Sequence, residues 1–564
     1  MPDSDIALSS SAVALREPQS VLKLRRMGAA FPTRLSLMRI LTRRMARENW
    51  SFAPTRFDVD ANGLGTAVWR IGTPAGELSF VAFSTPLKPE ERTDRVIAEK
   101  WDMTAALCRG PASADDVERL RANAPRQEAG RYTSRELVLT RANRSVRLFD
   151  TVVHALAAGR QPDWSPIIST GYLMRTTAVY GNGKFGLADY PCTVENPSVA
   201  GGFMAEMLTV YLVREFQIEL ANRLAAATGA SATRLDADHA RALGVGNATG
   251  LGMAPFLARH PHLLHSWART REEALRLMLS RPAASAAERT RCQALLERAL
   301  AHVRQWSVDD VQAMERIATV REEIAALLGR PLADERPFLD LYRFVERTMS
   351  IDTQELVVAL LIELGGDEVN ALEAGMLNAT AAEVRPSITL ARLMSLIEER
   401  YGWALDLDRA GPEARTHFWY YSANKDEPRL GRRESEPGAE HEMPVGTALD
   451  IAALHERLAT LSPEEREETV ARFLLREPVW YRAAKRAMLT AALPYADVCD
   501  NLLGAGMRPV DILRFKLSIF GASRFDPKSD LWTRVTMFQG APLASELQSR
   551  DADDWWLPVF GDAA

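Results

Sequence analysis

The sequence predicts a mainly α-helical chain with a small antiparallel β-sheet near the N-terminus: an α+β protein built as a large multi-helix globular chain. Three observations predict it. From about residue 90 onward, apolar residues recur three and four apart, the period of a helix with one buried face. Several of those runs open on a Ser or Thr, which caps the free N–H groups of a first helical turn. Only one region, residues 56–85, reads as alternating strands separated by glycine-bearing turns.

Residues 1–18 form a tail without apolar periodicity. The stretch 21–50 is basic, with Lys23, Arg25, Arg26, Arg34, Arg39, Arg43, Arg44 and Arg47 and no acid before Glu48. Leu35, Met38, Leu41 and Met45 put one apolar face on a helix whose other faces carry arginine. Such a helix binds RNA, an anionic surface or an acidic partner, or it pairs with acids elsewhere in the same chain. The second reading needs nothing outside the molecule. Next, "RFDVDANGLGTAVWRIGTPAGELSFVAFST" (56–85) has strand-like runs around Val59, Thr66–Ile71 and Leu78–Phe83, with turns at "ANG" and "TPAG". The segment "STPLKPEERTDR" closes it.

Beyond residue 90 the pattern reads as helical almost throughout. "TSRE" (133–136) and "SPEE" (462–465) are capping boxes, the second with Pro463 at the first helical position. "SVDD" (307–310) and "PSITLARLMSLIEERYG" (386–402) also open on Ser, and Gly329, Gly365 and Gly402 stand where helices stop. One stretch differs: 423–448 is charged and rich in Pro and Gly, after the aromatic cluster "THFWYYS" (416–422). It reads as a lid over a pocket or as a linker. Late in the chain "DLWTRVTMFQGAP" (530–542) reads as a short strand, and an acidic tail follows. The chain thus divides into a tail (1–18), a basic helix plus small sheet (19–90), a main helical domain (91–422), a polar loop or lid (423–448) and a C-terminal helical subdomain with a short strand (449–564).

Composition narrows the function. The net charge of −5 on 564 residues creates no field that draws the chain to nucleic acid. Apolar runs such as "VVALLI" (357–362) fall far short of a membrane span. Four scattered cysteines, Cys108, Cys192, Cys292 and Cys499, make no C-x-x-C and no disulfide framework. Asp3 and Asp5 stand where a signal peptide needs positive charge. The expectation is a soluble cytoplasmic protein, and a homo-oligomer is compatible with it.

Two glycine-rich stretches carry the candidate chemistry. "YGNGKFG" (180–186) fits G-x-G-x-x-G, but Pro191 blocks a helix and no βαβ unit is legible downstream, so a dinucleotide fold is set aside. It leaves Arg175, Asn182 and Lys184 around a glycine turn, where backbone comes close to a ligand and a Lys supplies charge. "GVGNATGLGMAPF" (244–256) is not a P-loop, because no G-K-[ST] follows. It reads as a glycine turn into a helix starting near Ala254 or Pro255, with Asn247, Thr249, Gly250 and Gly252 offering a site for phosphate or carboxylate. Just beyond lie Arg259, His260, His262 and His265. The "HPHLLH" spacing invites a metal, yet no carboxylate lies near and H-E-x-x-H is absent, so no metal is assigned. The histidines are instead candidates for general acid/base work. "DADH" (236–239) is a D-x-x-H without the partners a di-metal site needs, and is set aside. In the lid segment, Tyr420, Tyr421, Lys425 and Arg429 combine phenols with cations.

Two functions follow. One is a cytosolic metabolic enzyme acting on a small anionic substrate, its reaction and cofactor unspecified. The other is a non-catalytic helical protein docking an acidic partner or nucleic acid through the basic N-terminal helix.

Overall fold

The computed structural model describes residues 13–27, 34–91, 100–125, 133–181, 199, 203–247, 261–306, 311–377, 385–406, 418–422, 425–431, 439–442, 445–497, 518–521, 524–529, 532–549 and 555.

The three strands legible from their turns are present as β1 (Ser51–Val59), β2 (Gly65–Thr73) and β3 (Gly76–Ser84). The sheet does not stop there. β4 (Met103–Arg109), β5 (Glu136–Arg144), β6 (Tyr172–Gly181), β7 (Gly244–Asn247), β11 (Arg524–Ser529) and β12 (Trp532–Met537) join it. Its order is β1-β2-β3-β4-β5-β6-β7-β12-β11. The expected small antiparallel sheet is therefore wrong: among the described residues the sheet has nine strands and is mixed, since β6 and β7 run parallel. The α+β class itself stands.

The reason lies in burial. In β4 every residue but Arg109 is buried, and most of β5 is buried too. Strands covered on both faces lose their alternation and read like buried helix. The "TSRE" motif shows the same confusion locally. The Thr133 N–H donates to Glu136 at 2.6 Å, and the Thr133 hydroxyl bonds the same carboxylate at 3.0 Å. The Glu136 half of the capping box forms, while the Thr133 hydroxyl accepts from the Arg135 N–H at 3.2 Å, and the element that follows is β5. By contrast, "SPEE" is a capping box on a helical turn, Pro463–Arg466.

The helices used below are α1 (Leu37–Arg47), α2 (Ala114–Asn123), α3 (Phe149–Ala157), α4 (Met204–Thr228), α5 (Pro261–Leu279), α6 (Ala286–Arg304), α7 (Val311–Leu328), α8 (Pro337–Thr348), α9 (Ile351–Leu364), α10 (Leu390–Leu405), α11 (Val445–Ala459), α12 (Val470–Arg476) and α13 (Tyr481–Ala492). α4 is the axis of the fold. It packs on β4 to β7, on α3 and on α1. From the edge strand β1, Phe52 and Phe57 reach Tyr211 and Phe216 of the same helix. From beyond β12, Phe538 meets Tyr211 edge-on. A sheet whose edge strand and far end both touch one helix must curl around it. α2 covers the outer face over Val68, Val81, Phe83, Ala106 and Leu139. α5 to α9 extend the main core. α10 to α13 hold a second core of their own, with Leu393, Ile397, Leu454, Phe473 and Ala487.

The basic N-terminal stretch is built into the body. Arg39 makes a two-point ion pair with Glu363 of α9 at 2.7 and 3.0 Å, and Arg43 pairs with Glu373 at 2.6 Å. Arg34, Arg39 and Arg43 are buried. These arginines face acids of the same chain, so they are not offered to an outside anion. Among the described residues no helix is long and apolar enough to cross a membrane.

Residues 423–448 were expected as a loop or lid. There β9 (Lys425–Gly431) and β10 (Ala439–Glu442) pair on either side of β8 (Phe418–Ser422) in a second sheet, which packs on α11.

Candidate functional site

β6 and β7 form the only parallel pair of the large sheet among the described residues, with Arg175 opposite Gly246 and Thr176 opposite Asn247. Parallel neighbours need a crossover connection. Here it carries α4, so β6-α4-β7 is a βαβ unit where the sequence showed none. Residues 182–203 separate Gly181 from the start of α4 at Met204. That interval is far longer than the tight turn of a dinucleotide fingerprint, where the glycines open the helix directly.

The parallel pair is pinned from α4. Gln217 accepts from Met174 N–H at 2.5 Å and donates to the Gly244 carbonyl at 2.7 Å. Thr176 donates to the Gly246 carbonyl at 3.2 Å. Arg214 is fully buried and donates to the carbonyls of Leu243, Ala240, Arg241, Ala541 and Pro542. One guanidinium thus ties the entry of β7 to the segment after β12, with backbone carbonyls satisfying its donors.

The glycines of β7 have packing reasons. A Cβ on Gly246 would lie 2.8 Å from the Tyr172 ring, and one on Gly244 would lie 2.3 Å from the Met537 carbonyl oxygen. Gly246 and Asn247 are therefore strand residues, not part of a turn. The stretch from Thr249, with Gly250, Gly252, Arg259 and His260, lies outside the described residues, as do Asn182 and Lys184. So does the helix start expected near Ala254.

The predicted residues fall into three places. Arg175 is buried in β6, one strand away from Asn247. His262 and His265 lie on the first turns of α5, which begins at Pro261, where the sequence suggested a break. Tyr420 and Tyr421 lie on β8 and Lys425 and Arg429 on β9, with Tyr420 opposite Arg429. The first and last groups belong to different sheets.

His265 is buried and accepts from the Tyr495 N–H through Nδ1 at 3.1 Å, so its proton is on Nε2. Burial, with the Arg269 cation adding to it, pushes its pKa down to about 4. It is a neutral imidazole with one nitrogen already engaged. His262 is half-buried.

Sequence reasoning missed one constellation and set a second aside. Around α9, Glu355 accepts from Arg16 at 2.8 Å, from Arg26 at 3.2 Å and from Arg271 at 2.5 Å, while Glu272 holds Arg16 with two bonds of 2.7 Å. The Tyr495 hydroxyl, from the residue that bonds His265, donates to the Arg16 carbonyl. The available signal was an acid inside the apolar run "QELVVALLIEL", which needs a buried partner. The second is "DADH". His239 shares its Nδ1 proton with Asp236 at 2.8 and 2.9 Å, and Trp164 stacks on its ring at 4.0 Å. Among the described residues, no group of three or more His, Cys, Asp or Glu is placed to hold a metal ion.

Comparison with protein-family models, with curated proteins and with solved structures finds no match for this chain.

Proposed function

We propose that the chain is a cytosolic enzyme that binds a small phosphate- or carboxylate-bearing molecule at the carboxyl ends of β6 and β7. One observation carries this reading. Parallel strands point their carboxyl ends the same way: the chain leaves β7 at Asn247, beside Thr176, and leaves β6 five residues further along at Gly181. Ligands of α/β sheets sit outside the carboxyl ends of parallel strands, where loops bring backbone N–H groups together. The stretch after Gly181 supplies Asn182 and Lys184, and the stretch from Asn247 supplies Thr249, Gly250 and Gly252. Acid/base work falls to His260 or His262 rather than His265, because the Nδ1 of His265 is engaged by Tyr495 and its pKa is far below neutral. The cytosolic part rests on thiol chemistry: Cys108 and Cys292 are buried and free, and burial pushes their pKa values to about 12 and about 11. No nucleic acid enters this reading.

The test is calorimetric titration of the full chain with inorganic phosphate, pyrophosphate, ATP and a dicarboxylate. Binding by at least one is expected, weakened tenfold or more in Lys184→Ala and in Asn247→Ala. If none binds, or if both variants bind as the parent does, the site is elsewhere.

A further inference from the structure

α10 to α13 lie within one stretch of chain, and the main core lies on both sides of it. Met376, before the stretch, belongs to the main core, and so do Ile519, Phe520 and Val535 after it. Between them, Leu393, Ile397, Leu454, Phe473 and Ala487 belong to the second core, a separate cluster among the described residues. Backbone and side chains tie the stretch to itself. The Leu390 N–H donates to the Glu468 carbonyl and the Val470 N–H to the Ile388 carbonyl, both at 2.9 Å, and Arg457 holds Glu477 at 2.6 Å. The stretch is a module inserted into the body of the protein.

Tyr495 is where this module enters the main core. Its flanks stay behind. On one side the Leu493 N–H donates to the Leu489 carbonyl of α13 at 2.9 Å. On the other, Asp497 accepts from Arg486 of α13 at 2.6 Å, and Arg486 also donates to the Tyr401 hydroxyl of α10 at 3.2 Å. Tyr495 itself is buried among the residues of the main core. There its N–H donates to His265 Nδ1 at 3.1 Å, and its hydroxyl donates to the Arg16 carbonyl at 2.8 Å. Arg16 is fixed in turn by two bonds of 2.7 Å to Glu272 and one of 2.8 Å to Glu355. The N-terminal segment thus supplies one of the two bonds that grip Tyr495. α13 also packs on α5.

A module with its own core, pegged to the body rather than sharing a core with it, is free to move as a unit unless something holds it. We propose that Tyr495 is the latch that holds it, that the N-terminal segment keeps the latch shut through Arg16, and that release swings the module off α5. Opening trades two neutral hydrogen bonds for bonds to water and withdraws one ring, so both cores stay folded. α5 is the helix that carries His262 and His265. The latch stands whether or not those histidines act in catalysis.

The experiment places spin labels through Glu322→Cys on α7 and Glu467→Cys in the module, both exposed positions, in the full chain with Cys192→Ser and Cys499→Ser. Double electron–electron resonance reads the distance between them. The chain with Tyr495 in place should give one narrow distribution. Tyr495→Phe keeps the ring and the N–H bond and loses only the hydroxyl, so the distribution should broaden at least twofold. Tyr495→Ala should broaden it further. A helical circular-dichroism signal equal to the parent's verifies that both cores remain folded. The proposal is overturned if Tyr495→Phe keeps the parent's distribution, or if the parent is already as broad as the variants. It is overturned equally if Tyr495→Ala unfolds the module and the body together, because they are then one folding unit.

Discussion

At the scale of single residues, Glu355 decides how the N-terminal segment is held. Burial raises its pKa, but Arg16 and Arg271 outweigh burial and hold it at about 2. Glu355→Ala leaves these cations in the core without their shared counter-ion. Breaking a buried pair from one side costs roughly 3–5 kcal/mol, so the urea midpoint should fall sharply. Glu355→Gln should cost less, because its amide oxygen still accepts a bond. The same residue shapes the response to acid. Its folded pKa lies below the ordinary 4.5, so its contribution is present above about 4.5 and is lost as the pH falls toward 2. His265 and His302 act earlier. Burial holds them at about 4 and about 3, below the ordinary 6.5, so the unfolded chain takes up their protons first. Their contribution is complete above about 6.5 and declines as the pH falls below it. Melting temperature against pH should therefore decline in two stages, one starting near 6.5 and a steeper one near 4.5. His302→Gln keeps an acceptor for the Trp306 indole N–H and does not titrate, so the first stage should shrink. A melting curve without a decline above pH 5 would contradict this assignment. Little of this was legible beforehand: an acid or a His in an apolar run signals a partner but not which one, because Arg16 and Glu355 are 339 positions apart.

At the scale of elements, the readable strands are those with explicit turns. Gly63 and Gly76 adopt left-handed φ values of 78° and 129°, which glycine tolerates and other residues resist. Their turns showed in "ANG" and "TPAG", and β1 to β3 could be placed. β4 and β5 lack such punctuation and are buried on both faces, so their period was uninformative. α10 was expected from Ser387 to Gly402; it is capped by Thr389 and runs through Gly402 to Leu405, its backbone kinked at Tyr401. β7 was hidden for another reason. Four residues with two glycines look like a turn, and only the ring of Tyr172 and the backbone of Met537 explain them. That explanation has a direct consequence. Gly246→Ala should destabilise by about 1–3 kcal/mol, the usual cost of overpacking. Gly244→Ala should cost more, because the atom in the way is backbone and cannot rotate aside. Gly375, exposed in a short helix with nothing near its missing Cβ, is the control. Gly375→Ala should be neutral or stabilising by up to about 1 kcal/mol. Chemical denaturation of the three variants ranks them, and an order other than this would mean that β7 tolerates side chains.

At the scale of the whole molecule, the two ends of the chain complete each other's structure. The Phe538 N–H donates to the Met38 sulfur at 3.2 Å, and the Trp555 indole donates to the Thr42 hydroxyl at 2.9 Å. β12 lies beside β7, and the carbonyls of Ala541 and Pro542 accept from Arg214. The Pro542 carbonyl also takes the Tyr211 hydroxyl. Such closure is invisible to local periodicity, which is why the late strand was legible but its place in the sheet was not. The candidate site shares the limit: its residues were readable one by one, while the parallel pairing that aligns β6 with β7 depends on a crossover helix. Removing residues 532–564 tests the closure. β7 then becomes an edge, Phe538 no longer covers Tyr211, and two of the five carbonyls around Arg214 disappear. A buried guanidinium with lost acceptors is among the costlier defects in a core. The truncated chain should lose cooperative unfolding of the sheet and bind a hydrophobic dye. Its far-ultraviolet helical signal should fall only in part, because α10 to α13 keep their own core. Arg214→Met in the full chain separates the causes, since it removes the donors but leaves β12 in place. If closure by β12 dominates, this variant should melt lower than the parent yet still as one cooperative unit. If the truncated chain also melts cooperatively, the sheet does not depend on its C-terminal strands.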